Sequence, residues 1–167
     1  MLYFAYGMNT NAEQMATRCP DAIALGRFNL KKFKFVYRGV ADVVYTGKEH
    51  DSVDGVLWNI TTKCEKSLDS LEGYPNFYTK NYINRGKKRI MFYIMTKQHA
   101  RGLNLPSDYY HDMLEQGYKY FNCDAGQLYD AIDEAYQYYN EDKMYYAQEK
   151  FDMSELYNQW PPKRWYD

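Results

Sequence analysis

The chain has 167 residues, a net charge of -1, 46% apolar residues and 26% charged residues, a composition ordinary for a globular protein. A chain of this length suits one domain that can bury its own core. The small net charge gives no overall attraction to nucleic acid or anionic lipid, so neither is expected as a partner. No run approaches the ~20 apolar residues of a membrane span, and Gly7 interrupts the apolar start too early for a signal peptide.

Cysteines and histidines are few and widely separated. They are Cys19, Cys64, Cys123, His50, His99 and His111. Neither set has the spacing of a zinc site, so no metal site is expected. Scattered cysteines in odd number are typical of reduced thiols, which indicates a cytoplasmic protein.

The N-terminal part of the chain predicts strands around one short helix. Leu2 to Tyr6 reads as a short buried strand, and Gly7 to Asn9 turns the chain. The polar stretch Asn11 to Thr17 predicts one or two helical turns, ended by Pro20. Ala22 to Arg38 has mostly the pattern of a strand, because aromatic residues alternate with other side chains there.

The middle of the chain predicts two strands, a helix and a hairpin. Residues 43–46 and 53–60 are strand candidates. Thr62 opens a helix with Glu65 three residues later, as in a capping box, and Gly73 is suited to the helix end. Residues 77–83 and 89–96 then predict a hairpin.

Helices dominate the later part. Residues 106–121 predict one helix, with Ser107 near its start, and residues 124–139 predict another with the apolar stripe Leu128, Ile132, Ala135 and Tyr139. The remaining segment is rich in tyrosine and tryptophan and has no clear pattern. Strands followed by helices indicate an α+β fold, with enough strands for the sheet to curl or close.

The turn from Tyr6 to Asn9 is the first candidate site. A strand that ends at a glycine presents successive backbone N–H groups, which can hold a carboxylate or an oxyanion. Asn9 adds a side-chain amide donor. The alternative is an ordinary turn, for which glycine and asparagine are common residues.

Glu72 is the second candidate. It directly precedes the predicted helix-ending Gly73, where the negative end of the helix dipole disfavours a carboxylate. An exposed glutamate can tolerate this penalty. The functional alternative is a glutamate with a raised pKa, able to accept and return a proton near neutral pH.

Together, in order, these motifs carry a family resemblance from about residue 2 to residue 121. The matching residues are Tyr3-Phe4-Ala5-Tyr6-Gly7-Met8-Asn9, Arg18-Cys19-Pro20, Ala41-Asp42, Gly55-Val56-Leu57-Trp58, Leu68-Asp69, Glu72-Gly73, Tyr78, Pro106-Ser107, Tyr110 and Gly117. The set resembles the gamma-glutamylcyclotransferase and AIG2-like family. The resemblance implies a mixed β-barrel flanked by helices in residues 1–121. Residues 122–167 lie outside the resemblance and are expected to form a Tyr/Trp-rich extension packed on the same domain.

The resemblance also implies a reaction without a cofactor. The α-amino group of a gamma-glutamyl amine, amino acid or peptide attacks its own gamma-carbonyl, 5-oxoproline forms and an amine leaves. Glu72 matches the catalytic acid/base of the family. The loop Tyr6, Gly7, Met8 and Asn9, with Tyr78 and Tyr110, is expected to bind the substrate, the three tyrosines as pocket walls and hydroxyl donors.

Met8 departs from the family pattern, which has serine in the loop. The change keeps a backbone donor but loses a hydroxyl. Two alternatives stand beside the enzyme, the first favoured by Met8 and the second by the aromatic C-terminal segment. One is a non-catalytic protein that binds a small molecule on the same fold. The other is a protein-interaction module that uses the aromatic C-terminal segment. The sequence leaves the leaving amine and the oligomeric state open.

Overall fold

The computed structural model describes the backbone of residues 1–150 and the side chains of residues 1–141. In chain order its elements are β1 Leu2–Ala5, a short 3-10 helix Met8–Thr10, α1 Ala12–Arg18, β2 Ile23–Lys31, β3 Phe33–Tyr37, β4 Ala41–Tyr45, β5 Ser52–Asn59, α2 Thr62–Leu71, β6 Tyr78–Arg85, β7 Lys88–Met95, α3 Asp108–Tyr120 and α4 Gly126–Lys150. The aromatic segment 151–167 lies outside the described residues.

A five-stranded mixed sheet organises the molecule. Its strand order is β2-β5-β1-β7-β6, with β1 antiparallel to β5 and parallel to β7. The long strand expected from Ala22 to Arg38 breaks at Lys32, whose φ of 67° turns the chain, so that β3 pairs with β4 in a separate two-stranded sheet. The predicted α+β class is confirmed.

The large sheet curls without closing. Across the open seam, the guanidinium of Arg85 at the end of β6 lies 5.3 Å from the ring centre of Phe28 on β2. Because β2 and β6 remain the edges of the strand order, the mixed β-barrel expected from the family resemblance takes the form of a curled mixed sheet that does not close. The curl still gives the sheet a concave face that covers a shared core.

Helix α4 packs on β3 through part of the predicted stripe. Leu128 and Ala135 are fully buried and Ala131 joins them at 2% exposure, while Ile132 packs at the margin. Tyr139, expected to belong to the stripe, is 41% exposed. The helix therefore covers the core with its first turns, and Tyr139 lies past the area that these turns cover.

The helix α2 begins at Thr62, as predicted. Thr61 is its N-cap, and its hydroxyl accepts from the N–H of Cys64 at 3.1 Å. Glu65 is therefore out of position for a capping box with Thr62, and it binds Nζ of Lys80 at 2.6 Å instead. The helix ends at Leu71 with Glu72 as its C-cap residue. Gly73 follows with a φ of 62°, a left-handed conformation that glycine adopts without strain.

Close backbone packing fixes the loop after β1. A Cβ placed on Gly117 of α3 would lie 2.6 Å from the carbonyl carbon of Thr10 and 2.7 Å from the nitrogen of Asn11. Any residue larger than glycine would clash at that distance. Glycine at position 117 therefore allows the backbone of α3 to pack directly against the loop. The loop after β1 is thus fixed against α3.

Candidate functional site

The loop after β1 and the end of α2 open onto a cavity of about 290 Å³. All the site residues predicted from the sequence line it, namely Tyr6, Gly7, Met8, Asn9, Glu72, Tyr78 and Tyr110. The wall is completed by Tyr3, Arg18, Val40, Ala41, Leu71, Phe77 and Tyr93, which were not predicted. Residues far apart in sequence therefore meet around a space large enough for a small molecule.

Glu72 presents the carboxylate of this cavity. It is the C-cap residue of α2, and its Oε1 accepts a hydrogen bond of 2.9 Å from Nδ2 of Asn9. Burial raises the pKa of Glu72, and the Asn9 hydrogen bond and the charge of Arg18 partly oppose that rise. The side chain is consequently a stronger proton acceptor than an exposed glutamate.

Asn9 connects three pocket residues through one amide. Its Nδ2 donates to Glu72 and to the hydroxyl of Tyr3, each at 2.9 Å, and its Oδ1 accepts from a terminal nitrogen of Arg18 at 2.8 Å. The residue is 3% exposed. Such a buried side chain with all its polar atoms engaged is held in one orientation.

The backbone of the loop forms a tight turn with little spare room. The N–H of Thr10 donates to the carbonyl of Gly7 at 2.9 Å, and the N–H of Asn11 donates to the carbonyl of Met8 at 3.1 Å. Within the described chain, no hydrogen bond occupies the N–H groups of Gly7 and Asn9. A Cβ on Gly7 would lie 3.1 Å from the Tyr110 hydroxyl. Glycine at this position therefore allows the loop backbone to approach Tyr110 closely.

The predicted tyrosines use their hydroxyl groups in different ways. Tyr6 donates to the carbonyl of Tyr93 at 2.8 Å, and Tyr78 donates to the carbonyl of Ala41 at 2.5 Å. The hydroxyl of Tyr110 instead accepts from the N–H of Ala41 at 3.1 Å. Tyr6 and Tyr78 therefore donate to backbone carbonyls, whereas the described residues supply no acceptor for the hydroxyl of Tyr110.

Three polar residues of the wall, Tyr3, Arg18 and Tyr93, were missed by the sequence analysis. Arg18 belongs to a motif that was noticed without a site role, and Tyr3 lies in the strand just before the loop. Tyr93 donates its hydroxyl proton to Asp69 at 2.7 Å. Alternation along β1 could have suggested Tyr3, but no local pattern shows where the long side chain of Arg18 ends.

The chemistry available here is that of one carboxylate, one guanidinium and several oriented donors. In the described part of the chain, no group of histidine, cysteine and acidic side chains is arranged to hold a metal ion. A proton can be taken up at Glu72, and negative oxygen can be held by free N–H groups of the loop and by Tyr110.

Over the same described residues, no helix combines the length and apolar character that a bilayer crossing requires.

Known proteins resemble the chain over this same region. The family model described as "Gamma-glutamyl cyclotransferase, AIG2-like" matches residues 3–112. No curated protein matches the chain at a significant level.

Three solved structures illustrate the similarity of fold. One, described as gamma-glutamyl cyclotransferase, has 25% identity and a TM-score of 0.61, with 72% of this chain and 79% of that chain covered. The uncharacterized protein loc79017 from Homo sapiens has 26% identity, a TM-score of 0.58 and the same coverage of 72% and 79%. YkqA from Bacillus subtilis has 20% identity and a TM-score of 0.59, and the match covers 80% of this chain and 54% of that chain. By the family model across residues 3–112, the chain belongs to the AIG2-like gamma-glutamyl cyclotransferase family.

Proposed function

We propose that the protein is a cofactor-independent enzyme that cyclises a gamma-glutamyl amine, amino acid or peptide to 5-oxoproline. The observation that carries the proposal is the carboxylate of Glu72, held by Asn9 in the cavity with a pKa raised by burial. Membership of the family supports the same reaction. The substrate is a small molecule, which agrees with a cavity of about 290 Å³.

The reaction needs one group that takes a proton and later returns it. The α-amine of the substrate attacks the gamma-carbonyl carbon, and a new C–N bond closes the five-membered ring. Glu72 removes the proton that the attacking nitrogen must lose. It then gives that proton to the departing nitrogen as the original C–N bond breaks, so that no proton or electron is left over.

The developing negative charge on the gamma-carbonyl oxygen requires donors. The unoccupied N–H groups of Gly7 and Asn9 and the hydroxyl proton of Tyr110 are the candidates on this cavity wall. Fixed donors stabilise such an oxyanion more than water does, because they need no reorganisation as the charge forms. Met8 contributes its backbone and an apolar side chain instead of a hydroxyl.

A second candidate function is binding of a small molecule without catalysis, and Met8 is the observation that favours it. A thioether in place of the family's serine changes the shape and polarity of the loop. A third, an interaction module built on the aromatic C-terminal segment, concerns residues outside the described part of the chain.

We also propose a cytoplasmic location, because the three cysteines are free thiols.

The deciding experiment incubates the protein with a panel of gamma-glutamyl amines, amino acids and peptides and measures 5-oxoproline. We expect release from at least one compound, and a loss of roughly 100- to 10,000-fold in kcat for Glu72→Gln, as for removal of a general base. The matched control is Glu13→Gln, which changes an exposed glutamate outside the cavity and should leave kcat unchanged. Binding of a compound without any 5-oxoproline release would favour the non-catalytic alternative.

A further inference from the structure

We propose that Arg18 is a positioning residue of this cavity, which fixes the amide of Asn9 and, through that amide, the carboxylate of Glu72. This proposal rests on the proposed function for its kinetic test. The contacts form one chain, from the guanidinium to Oδ1 of Asn9 at 2.8 Å and from Nδ2 of Asn9 to Oε1 of Glu72 at 2.9 Å.

The orientation of the Asn9 amide follows from the chemistry of its neighbours. A guanidinium has only donors, so the acceptor oxygen of Asn9 must face Arg18. The NH2 group then has to face Glu72, where a carboxylate accepts it. Without Arg18 the amide could turn over and bring its oxygen against the anionic oxygen of Glu72, and at 3% exposure little water is available to replace the lost donor.

Arg18 is itself tied to the helix that carries Glu72. Its carbonyl accepts a hydrogen bond of 2.8 Å from the hydroxyl of Ser67 in α2. The next residue, Cys19, places its sulfur 3.6 Å from the carbonyl of Cys64, also in α2. These two contacts join the end of α1 to α2. The backbones that carry Arg18 and Glu72 are therefore fixed relative to each other.

Charge gives Arg18 a second effect on Glu72. The groups that face Glu72 from other elements are tyrosines, namely Tyr3 of β1, Tyr6 of the loop, Tyr78 of β6, Tyr93 of β7 and Tyr110 of α3. Burial raises the pKa of each of these tyrosines, so they are neutral at pH 7. Asp42, which acts on Tyr6 and Tyr78, is paired with Arg38 at 3.0 Å, and Asp69, which accepts from Tyr93, is paired with Lys80 at 2.8 Å. Arg18 is the cation that lowers the pKa of Glu72, against the effect of burial.

The test compares Arg18→Met, which removes both the donor and the charge, with Arg18→Lys, which keeps a charge and a donor. For Arg18→Met we expect kcat to fall about tenfold or more, equivalent to about 1.4 kcal/mol. The acid limb of the kcat/KM profile should move to a pH about 1 higher, as expected for loss of a nearby opposite charge. Arg18→Lys should keep much of the wild-type kcat, and the acid limb of its kcat/KM profile should stay close to the wild-type pH.

The matched control is Arg89→Met, which removes an exposed cation that stacks on Tyr82 in the β6–β7 hairpin. It should reproduce the wild-type pH profile. If Arg18→Met does not fold, Arg18→Gln takes its place, because it keeps an N–H donor and should still move the acid limb upward. An unchanged pH profile in the folded variants, with only a lower melting temperature, would overturn the proposal and leave Arg18 a structural residue.

A second readout separates this proposal from the proposed function. The carboxyl carbon of Glu72 is titrated by NMR in the unliganded wild type and in Arg18→Met. A higher pKa in the variant supports the positioning role even if no gamma-glutamyl compound yields 5-oxoproline, and an unchanged pKa contradicts it. Failure of the activity assay alone counts against the proposed function, and failure of the titration counts against Arg18.

Discussion

The amide of Asn9 donates to the carboxylate of Glu72 at 2.9 Å, although 63 positions separate the two residues in sequence. Asn9 lies in the short helix after β1, and Glu72 ends α2. The loop that carries Asn9 packs against α3 at Gly117. Helix α2 is hydrogen-bonded to the end of α1 through Ser67. The contact between Asn9 and Glu72 joins the two separate sequence motifs into one site.

The first prediction concerns the stability contribution of Glu72. Because burial raises its folded-state pKa, the protonated form favours folding. That contribution is fully present below the unfolded-state pKa of about 4.3 and is lost as the pH rises through the folded-state value. At pH 7 the ionised carboxylate is a net cost, so Glu72→Gln should melt at the same or a higher temperature while losing its turnover.

Melting temperature and 5-oxoproline release are measured on the same preparations at pH 5 and pH 7. The stability of the variant relative to wild type should be higher at pH 7 than at pH 5. A clear drop in melting temperature with activity retained would identify Glu72 as a structural partner of Asn9 and Arg18 instead.

The second prediction concerns Met8. If the loop works through its backbone N–H groups, Met8→Ser should keep or raise the activity, because Gly7 and Asn9 are unchanged. The measurement is kcat/KM on the best compound of the panel. A decrease of more than about tenfold, roughly 1.4 kcal/mol of transition-state binding, would show that the thioether itself shapes the substrate site.

The third prediction separates two tyrosines that look equivalent in the sequence. Tyr110→Phe removes a cavity-lining hydroxyl that has no acceptor among the described residues, and we expect kcat to fall roughly 10- to 100-fold, as for loss of an oxyanion donor of moderate strength. Tyr78→Phe removes a hydroxyl that donates a hydrogen bond to the carbonyl of Ala41. It should cost about 1 kcal/mol of stability and change kcat by less than about threefold.

Chemical denaturation and steady-state kinetics on both variants check this contrast. Equal losses of kcat in Tyr78→Phe and Tyr110→Phe would show that the two hydroxyls act together, and that the hydrogen bond to Ala41 is replaced when substrate binds.

The fourth prediction concerns the segment after Asn122. The division of the chain near residue 121 remains a proposal, but Leu128, Ala131 and Ala135 pack into the same core as the sheet. A chain ending at Asn122 should therefore expose apolar surface and associate or fold poorly. Sedimentation and circular dichroism test this, and a monomeric, fully active truncation would contradict it.

Local signals in the sequence determined most of the elements. Ser107 caps α3 by accepting from the N–H of Tyr110, and the alternation of aromatic residues around Phe35 marks β3 as a strand with a buried face. Gly73 predicts the end of α2, which the structure confirms to within one residue, with Glu72 as the C-cap. These features depend on neighbours within a few residues, so their spacing is visible in the chain itself.

The motifs that carry the family resemblance likewise predict one site for the loop and Glu72, and both line the same cavity. Tertiary structure decided the rest. The break at Lys32 depends on how the chain leaves β2 for a second sheet, and the open seam depends on which strands remain edges. The different use of the Tyr78 and Tyr110 hydroxyls depends on the position of the Ala41 backbone between them.

Arg18 shows the same limit for the site. Its place in the cavity follows from the direction of α1 and from the length of its side chain, neither of which leaves a periodic pattern in the sequence. Hydrogen bonds form between atoms about 3 Å apart wherever the fold brings them together. The sequence determined which residues had the chemistry, and packing of the helices on the curled sheet decided which of them meet.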